Sequence, residues 1–201
     1  MKFGFIVDSG TFGGAEKQCI ILAKKLSEAK HEIVFLLLNN NQSHDLDNKL
    51  NELNFEFYDL GFKFHSDHIR RFFNIIPLLF KIRKYDIDIL LPYTIRPNVN
   101  INFFWQITGA KACLWNQRDE GHGITLGNYK DKILSLALMN TSGIISNSGG
   151  GLDFISNYIQ KPKKIRLINN GIEIKKPLLN RTEVLKSLDI NEQAFLVLKI
   201  A

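Results

Sequence analysis

Arg118, Asp119, Glu120 and His122 put a guanidinium, two carboxylates and an imidazole within five consecutive residues, just after an apolar segment ending near Trp115 to Asn116. Arg118 is a bidentate donor suited to a phosphate or to charge on an acceptor. The competing explanation is a structural ion pair with Asp119 or Glu120. His122, between Gly121 and Gly123, is either a substrate contact or a solvated loop histidine. Tyr93, Thr94, Arg96 and Asn98 follow an apolar segment ending at Leu91. Their hydroxyl, guanidinium and amide groups suit a polyhydroxylated acceptor, unless the stretch is simply a polar loop. Pro92 and Pro97 are expected to keep it out of helix. Finally, Gly10-Thr11-Phe12-Gly13-Gly14 runs into a helical pattern with Glu16 in its first turn. Glycines there let a ligand approach the backbone and expose N–H groups that favour anions. A tight turn with no ligand explains them equally well.

The elements that must position these groups alternate. Phe3–Val7 and Ile33–Leu38 are apolar strands, the second a continuous run of the kind found where both sheet faces are covered. Residues 15–29 carry Ile20, Ile21, Leu22 and Leu26 among Lys24, Lys25 and Glu28, an amphipathic helix. The polar stretch Asn39 to Ser43 is a loop. Further helices are expected over 45–53, 68–84 (kinked or broken at Pro77), 98–108, 128–140, 149–158 and 182–188. Further strands are expected over 55–58, 87–91, 112–115, 143–146, 165–168 and 195–200. This β-α-β-α order predicts an α/β fold, a doubly wound, mostly parallel, Rossmann-like sheet whose ligands bind at the carboxyl ends of the strands. Every candidate above lies at such an end. Asn147-Ser148 ends one strand and enters a helix through three glycines, where Ser148 is a natural N-cap. Asn170-Gly171 follows the strand expected over 165–168, and its glycine is expected to serve a positive φ.

Several function classes fall away. A dinucleotide fold needs G-x-G-x-x-G, and Phe12 stands where the second glycine belongs. The second strand ends Leu38-Asn39-Asn40, without the acidic residue that holds a ribose. No P-loop is present. The chain of 201 residues carries a formal charge of +6, with its basic residues spread out apart from Lys161, Lys163, Lys164 and Arg166. No basic stripe with stacking aromatics, helix-turn-helix or zinc pattern points to nucleic acid. Cys19 and Cys113 form neither a C-x-x-C pair nor a disulfide framework, and both fit buried, reduced thiols in a cytoplasmic protein. The N-terminus goes directly into a strand and lacks a signal peptide, and no apolar run approaches a bilayer span. Residues 69–84 interleave Phe72, Phe73, Leu79 and Phe80 with Arg70, Arg71, Lys81, Arg83 and Lys84. Such a helix suits an anionic membrane surface, although core burial is the better-supported expectation.

Three blocks together resemble family 4 glycosyltransferases. Gly13-Gly14-Ala15-Glu16 is similar to their G-G-x-E loop. Ile144-Ile145-Ser146-Asn147-Ser148 looks like their strand ending in a small polar pair. Ile168-Asn169-Asn170-Gly171-Ile172-Glu173 is similar to their N-G-I-D segment, with Glu for Asp. The blocks come in the family's order at about its spacing. The resemblance implies one half of a GT-B fold, with residues 1–190 the N-terminal, acceptor-side domain and 191–201 the truncated start of a donor-binding domain missing in cis. It implies sugar transfer with retention of configuration, from a nucleotide-sugar to a glycan or lipid-linked acceptor, in the full-length protein. It implies no cofactor and no metal, and an inactive chain when alone. On this pattern Gly13 and Gly14 form the donor-phosphate loop, and Arg118 and His122 are the catalytic candidates. Glu16, Tyr93, Thr94, Arg96, Asn98 and Asp119 face the acceptor, and Asn147, Ser148, Asn170 and Gly171 line the cleft. Relatives carry a His-Asp pair where this chain has Arg118-Asp119, which puts a carried-over histidine role in doubt. The enzyme would work in the cytoplasm, at the inner face of the membrane if peripheral. Two other readings stay open: a non-catalytic binding module for phosphorylated sugars or anionic lipids, and half of a sugar-nucleotide epimerase.

Overall fold

A computed structural model describes residues 1–39, 44–63, 68–119, 130–159, 164–173 and 178–197, the side chains of 68–72 and 130 excepted. The chain divides into a compact unit, Met1–Gly171, and a small one, Ile172–Ala201. The expected boundary at 190 falls inside the second.

In the first unit the order is β1 (Lys2–Ser9), α1 (Gly14–Glu28), β2 (Glu32–Asn39), α2 (Asp45–Glu52), β3 (Glu56–Asp59), α3 (His68–Arg83), β4 (Ile89–Pro92), α4 (Ile95–Asn102), β5 (Ala112–Gln117), α5 (Lys130–Asn140), β6 (Gly143–Ser146), α6 (Gly149–Ser156) and β7 (Ile165–Leu167). The strands form one sheet in the order β3-β2-β1-β4-β5-β6-β7, all parallel. The order reverses between β1 and β4, which puts the crevice of a doubly wound sheet beyond their carboxyl ends.

Strand alternation sorts the apolar residues onto two faces. Ile6, Val34, Leu36, Leu38 and Leu90 pack with Ile75, Leu78, Leu79 and Ile82 of α3. Phe5, Val7, Phe35, Leu37 and Leu91 pack with Cys19, Ile20 and Ala23 of α1 and with Leu46 and Leu50 of α2. Because β1 and β2 are covered on both sides, they are apolar at nearly every position. Full burial of each such side chain contributes about 1.5–3 kcal/mol. A third cluster joins Trp115 of β5 and Ile144 of β6 to Val99, Leu134, Leu138 and Ile155. It fixes the half of the sheet that carries Arg118.

Three helix expectations are corrected. α3 is one helix through Pro77, so the break does not occur, and Pro77 lies on the exposed side of the helix. The stretch after β4 is helical from Ile95, despite Pro97. Pro97 occupies the first turn, where its missing N–H would have no intrahelical partner in any case. The single helix expected over 98–108 is two pieces: α4 stops at Asn102, and a short 3-10 turn, Trp105–Thr108, ends on Gly109 with φ 79°.

The second unit contains α7 (Arg181–Ser187). Its start is a capping box: the Asn180 side chain accepts from the Glu183 N–H at 2.9 Å, and the Glu183 carboxylate accepts from the Asn180 N–H at 2.8 Å. The strand expected over 195–200 does not form at 195–197. Phe195 and Val197 are exposed there, since an extended segment without a neighbour has no ladder to join. Residues 198–200 lie outside the described residues.

Candidate functional site

Arg118 leaves the carboxyl end of β5 and folds back over its own sheet edge. Its guanidinium donates to the Tyr93 hydroxyl at 3.1 Å, to Asn116 Oδ1 at 3.4 Å and to Asn170 Oδ1 at 3.3 Å. It also lies 4.7 Å from the centroid of the Tyr93 ring, a cation–π distance. All these partners are neutral. Burial pushes the Tyr93 phenol far above its usual range, so the ring stays protonated beside the cation. Among the described residues, neither the buried Arg118 Nε nor the buried Asn147 Oδ1 has a hydrogen-bond partner. A cation placed this way keeps its positive charge uncompensated by its hydrogen-bond partners, which is what binding an anion requires.

The neighbouring strands complete the edge. After β6, Asn147 donates to Asn170 Oδ1 at 3.3 Å, and that oxygen therefore serves Asn147 and Arg118 together. Gly171 is gripped by Gln18 of α1: Gln18 Nε2 donates to its carbonyl at 2.9 Å, and its N–H donates to Gln18 Oε1 at 3.0 Å. Gly171 has no positive φ, contrary to expectation; a Cβ there would meet Ile21 Cγ2 at 3.3 Å, so crowding against α1 accounts for the glycine. Ser148 caps α6, its hydroxyl accepting from the Gly151 N–H at 3.0 Å.

The α1 N-terminus reaches the same edge. Glu16 accepts from the Gly13 N–H at 3.0 Å, so its carboxylate holds the loop shut on its own helix. Gly14 differs from the crowded glycines: among the described residues nothing lies within 4 Å of where a Cβ would be, and its φ is not positive. Neither backbone conformation nor packing inside the protein explains a glycine there. Cys19 is buried below this loop, and burial first, then the Glu16 charge, raises its thiol well above the usual value. It is a protonated core residue.

On the other side of the crevice, Arg96 in the first turn of α4 pairs with Asp8 at the end of β1 at 3.4 Å. A partly exposed pair of this kind is worth about 0–1 kcal/mol. Thr94 stands between Tyr93 and α4 with φ 64° and ψ 171°. Asn98, expected to face an acceptor, is instead fully buried and spends its amide on the Asn116 backbone. The Asp119 side chain and backbone carbonyl both accept from Gln117. Glu120 and His122 lie outside the described residues.

The structure therefore brings Gly13, Gly14, Glu16, Tyr93, Thr94, Arg96, Arg118, Asn147 and Asn170 to one sheet edge. Sequence reasoning missed Gln18, Asn116 and Asp8. The last two are polar residues ending apolar strands, a signal that was available; Gln18 is an ordinary polar helix residue until Gly171 arrives beside it. Among the described residues, no group of three or more His, Cys, Asp or Glu could hold a metal ion.

No protein-family model matches the chain, and no curated protein matches it. Solved structures do. The Anabaena protein Alr3699/HepE, in complex with UDP and glucose, superposes with a TM-score of 0.71 at 17% identity, covering 94% of this chain and 50% of that one. A glycosyltransferase from Rickettsia africae ESF-5 gives a TM-score of 0.66 at 17% identity, with the same coverage of 94% and 50%. The UDP-GlcNAc 2-epimerase from Neisseria meningitidis bound to UDP-GlcNAc gives 0.55 at 13% identity, covering 85% and 47%. This chain has the Rossmann-like fold of one half of a GT-B architecture and spans about half the length of the structures it matches.

Proposed function

We propose that this chain is the N-terminal, acceptor-side half of a retaining, family 4-like glycosyltransferase, which transfers a sugar from a nucleotide-sugar to a glycan or lipid-linked acceptor once a donor-binding domain follows it. The observation that carries the proposal is Arg118, a partly buried cation whose hydrogen-bond partners among the described residues are all neutral, at the carboxyl edge beside Asn170, whose neighbour Gly171 is bonded to Gln18 of α1. Negative charge develops on the pyrophosphate as the sugar departs, and a fixed guanidinium in a low-dielectric crevice stabilises that charge. The backbone at Gly14 allows close approach of the same phosphates, the Gly13 N–H being taken by Glu16, while Thr94 and Arg96 offer polar contacts to the acceptor. Asn98 is withdrawn from that role by its burial. The test is UDP release by the full-length protein with a panel of UDP-hexoses and membrane or glycan acceptors, with the product anomer read by NMR. No UDP release with any donor sinks the proposal. Conversion of UDP-GlcNAc without an acceptor would establish the epimerase in its place.

Gly14→Ala separates loop chemistry from loop structure. The new methyl meets no atom of the described residues and replaces a helix-disfavouring glycine, so the unfolding midpoint should hold or rise. A ligand seated against the loop would lose its close approach, and KM for the nucleotide-sugar should rise about tenfold, roughly 1.4 kcal/mol. An unchanged KM would leave the glycine without a ligand.

The acceptor side of the proposal includes an anionic membrane. No helix among the described residues is long and apolar enough to cross a bilayer. However, α3 buries Ile75, Leu78, Leu79 and Ile82 and leaves Phe73 (67%) and Phe80 (54%) exposed. The exposed pair is seven residues apart, on one face with Pro77 between them. Residues 68–84 contain no Asp or Glu and five Lys or Arg. A cavity of about 270 Å³ lined by Phe62, Lys63, Pro77, Leu78 and Lys81 opens beside the helix. Exposed aromatics on a helix whose sequence is basic and has no acidic residue fit a lipid surface better than a second, equally cationic copy. Phe73→Ser with Phe80→Ser is expected to weaken sedimentation with phosphatidylglycerol vesicles at least tenfold. Equal binding by both proteins would remove the membrane from the proposal.

A further inference from the structure

Thr94 holds a backbone conformation that threonine all but never adopts. Its φ of 64° and ψ of 171° lie in a region populated essentially by glycine, and its side chain is β-branched. It occupies the N-cap of α4, a position threonine favours, yet makes no capping hydrogen bond. The protein thus forgoes both the capping bond and the relaxed backbone at this one residue. A conformation of this cost persists only where the surroundings over-determine it.

The surroundings are two buried asparagines. Asn98 Nδ2 donates to the Asn116 carbonyl at 2.7 Å, and the Asn116 N–H donates to Asn98 Oδ1 at 3.0 Å, so one amide side chain pairs with a strand backbone as a second strand would. The Asn98 N–H donates to the Thr94 carbonyl at 3.2 Å, which closes the first turn of α4. Asn116 Nδ2 donates to the Pro92 carbonyl at 3.2 Å and the Leu114 carbonyl at 3.0 Å. On the near side, the Tyr93 N–H donates to the Ile6 carbonyl at 2.8 Å, and Tyr93 bridges to Asn116. Thr94 is therefore held from Pro92, Tyr93 and Asn98 at once. The remaining oxygen of the Asn116 amide, Oδ1, accepts from Arg118. Both asparagines are fully buried with their amides satisfied.

We propose that the Asn98–Asn116 pair is a brace that holds Thr94 in its strained conformation at the crevice and ties its position to that of Arg118, so that Thr94 is a specificity-determining contact for the acceptor and Asn98 a positioning residue. The role of Thr94 in acceptor contact rests on the transferase proposed above; the brace and its strain do not. Thr94 is half-buried at the carboxyl end of β4, and in the proposed complex its hydroxyl meets the acceptor while Arg118 serves the leaving phosphates, with Asn116 bonded both to Asn98 and to Arg118.

The experiment uses the full-length protein, with Thr94→Gly, Thr94→Ser, Asn98→Ala and the double variant Thr94→Gly with Asn98→Ala. Relief of strain should raise the unfolding midpoint of Thr94→Gly by about 3–6 °C, and that gain should vanish in the Asn98→Ala background, where nothing enforces the strained backbone. Thr94→Gly should raise KM for the acceptor about tenfold with kcat within twofold, and Thr94→Ser, which restores the hydroxyl, should return KM to near the unmodified value. A lower midpoint for Thr94→Gly, or an equal gain in both backgrounds, overturns the brace. An acceptor KM unchanged in Thr94→Gly overturns the contact role. A parent protein without UDP release overturns the transferase and the contact role together, and the unfolding comparison still decides the brace.

Discussion

Arg118→Ala is expected to lower kcat/KM of the full-length protein about 10²–10³-fold, the size of effect seen when one preorganised electrostatic donor is removed. The argument starts from the partners. Tyr93, Asn116 and Asn170 hold the guanidinium in place without cancelling its charge, and Nε has no hydrogen-bond partner among the described residues. At an effective dielectric near 20, a unit charge 4 Å away interacts with it by about 4 kcal/mol, several times the value in water. Arg118→Lys should recover little of the loss. A lysine cannot bridge Asn116, Asn170 and the Tyr93 ring while also reaching a ligand. The unfolding midpoint should fall in Arg118→Ala, because the buried Tyr93 hydroxyl and Asn116 Oδ1 both lose a donor there, while exposed Asn170 can turn to water. Loss of less than threefold in kcat/KM, measured with saturating acceptor, would remove Arg118 from the chemistry.

Trp115→Ala is expected to destabilise the fold by about 3–5 kcal/mol, measured by urea unfolding of the full-length protein. Trp115 is the largest fully buried side chain, packed in the cluster of Val99, Leu134, Leu138, Ile144 and Ile155. Truncation leaves a cavity among elements that strand pairing prevents from collapsing. It also removes the bond from Trp115 Nε1 to Gln117 Oε1 at 2.8 Å, leaving a buried acceptor unpaired. Trp115→Phe should cost less, since most of the volume remains and only the hydrogen bond is lost. A change under 1 kcal/mol for Trp115→Ala would mean that this half of the sheet is not held by that cluster.

Much of the scaffold was legible in the residues. The run Ile33–Leu38 reads as a strand covered on both faces, and Ile20, Ile21, Leu22 and Leu26 among charged residues read as an amphipathic helix, of which the structure buries Ile20 together with Cys19 and Ala23. Errors gathered at prolines and at chain segments with no partner. Pro97 reads as a helix breaker unless it falls in a first turn, which depends on where β4 ends. Phe195–Val197 reads as a strand from its side chains, yet a strand exists only with a neighbour. Arg118 was picked out by its chemistry and its place after β5, and the structure adds its partners. Asn98 was placed at the acceptor on the same grounds and proved to be interior, because the polarity of a side chain does not say which way a helix turns it.

What the sequence by itself determined was the alternation of strands and helices, and through it the class of fold and the edge where polar residues collect. Those follow from local periodicity and from the need to bury apolar faces, which neighbouring residues encode. Only the tertiary structure decided that Asn170 and Asn147 meet Arg118, that Gln18 grips Gly171 across 153 positions of chain, and that Asn98 and Asn116 hold Thr94 against its own preference. Each of these depends on sheet order, which brings the ends of β1, β4, β5, β6 and β7 side by side. That order arises from the packing of the whole unit, and no short stretch of residues contains it.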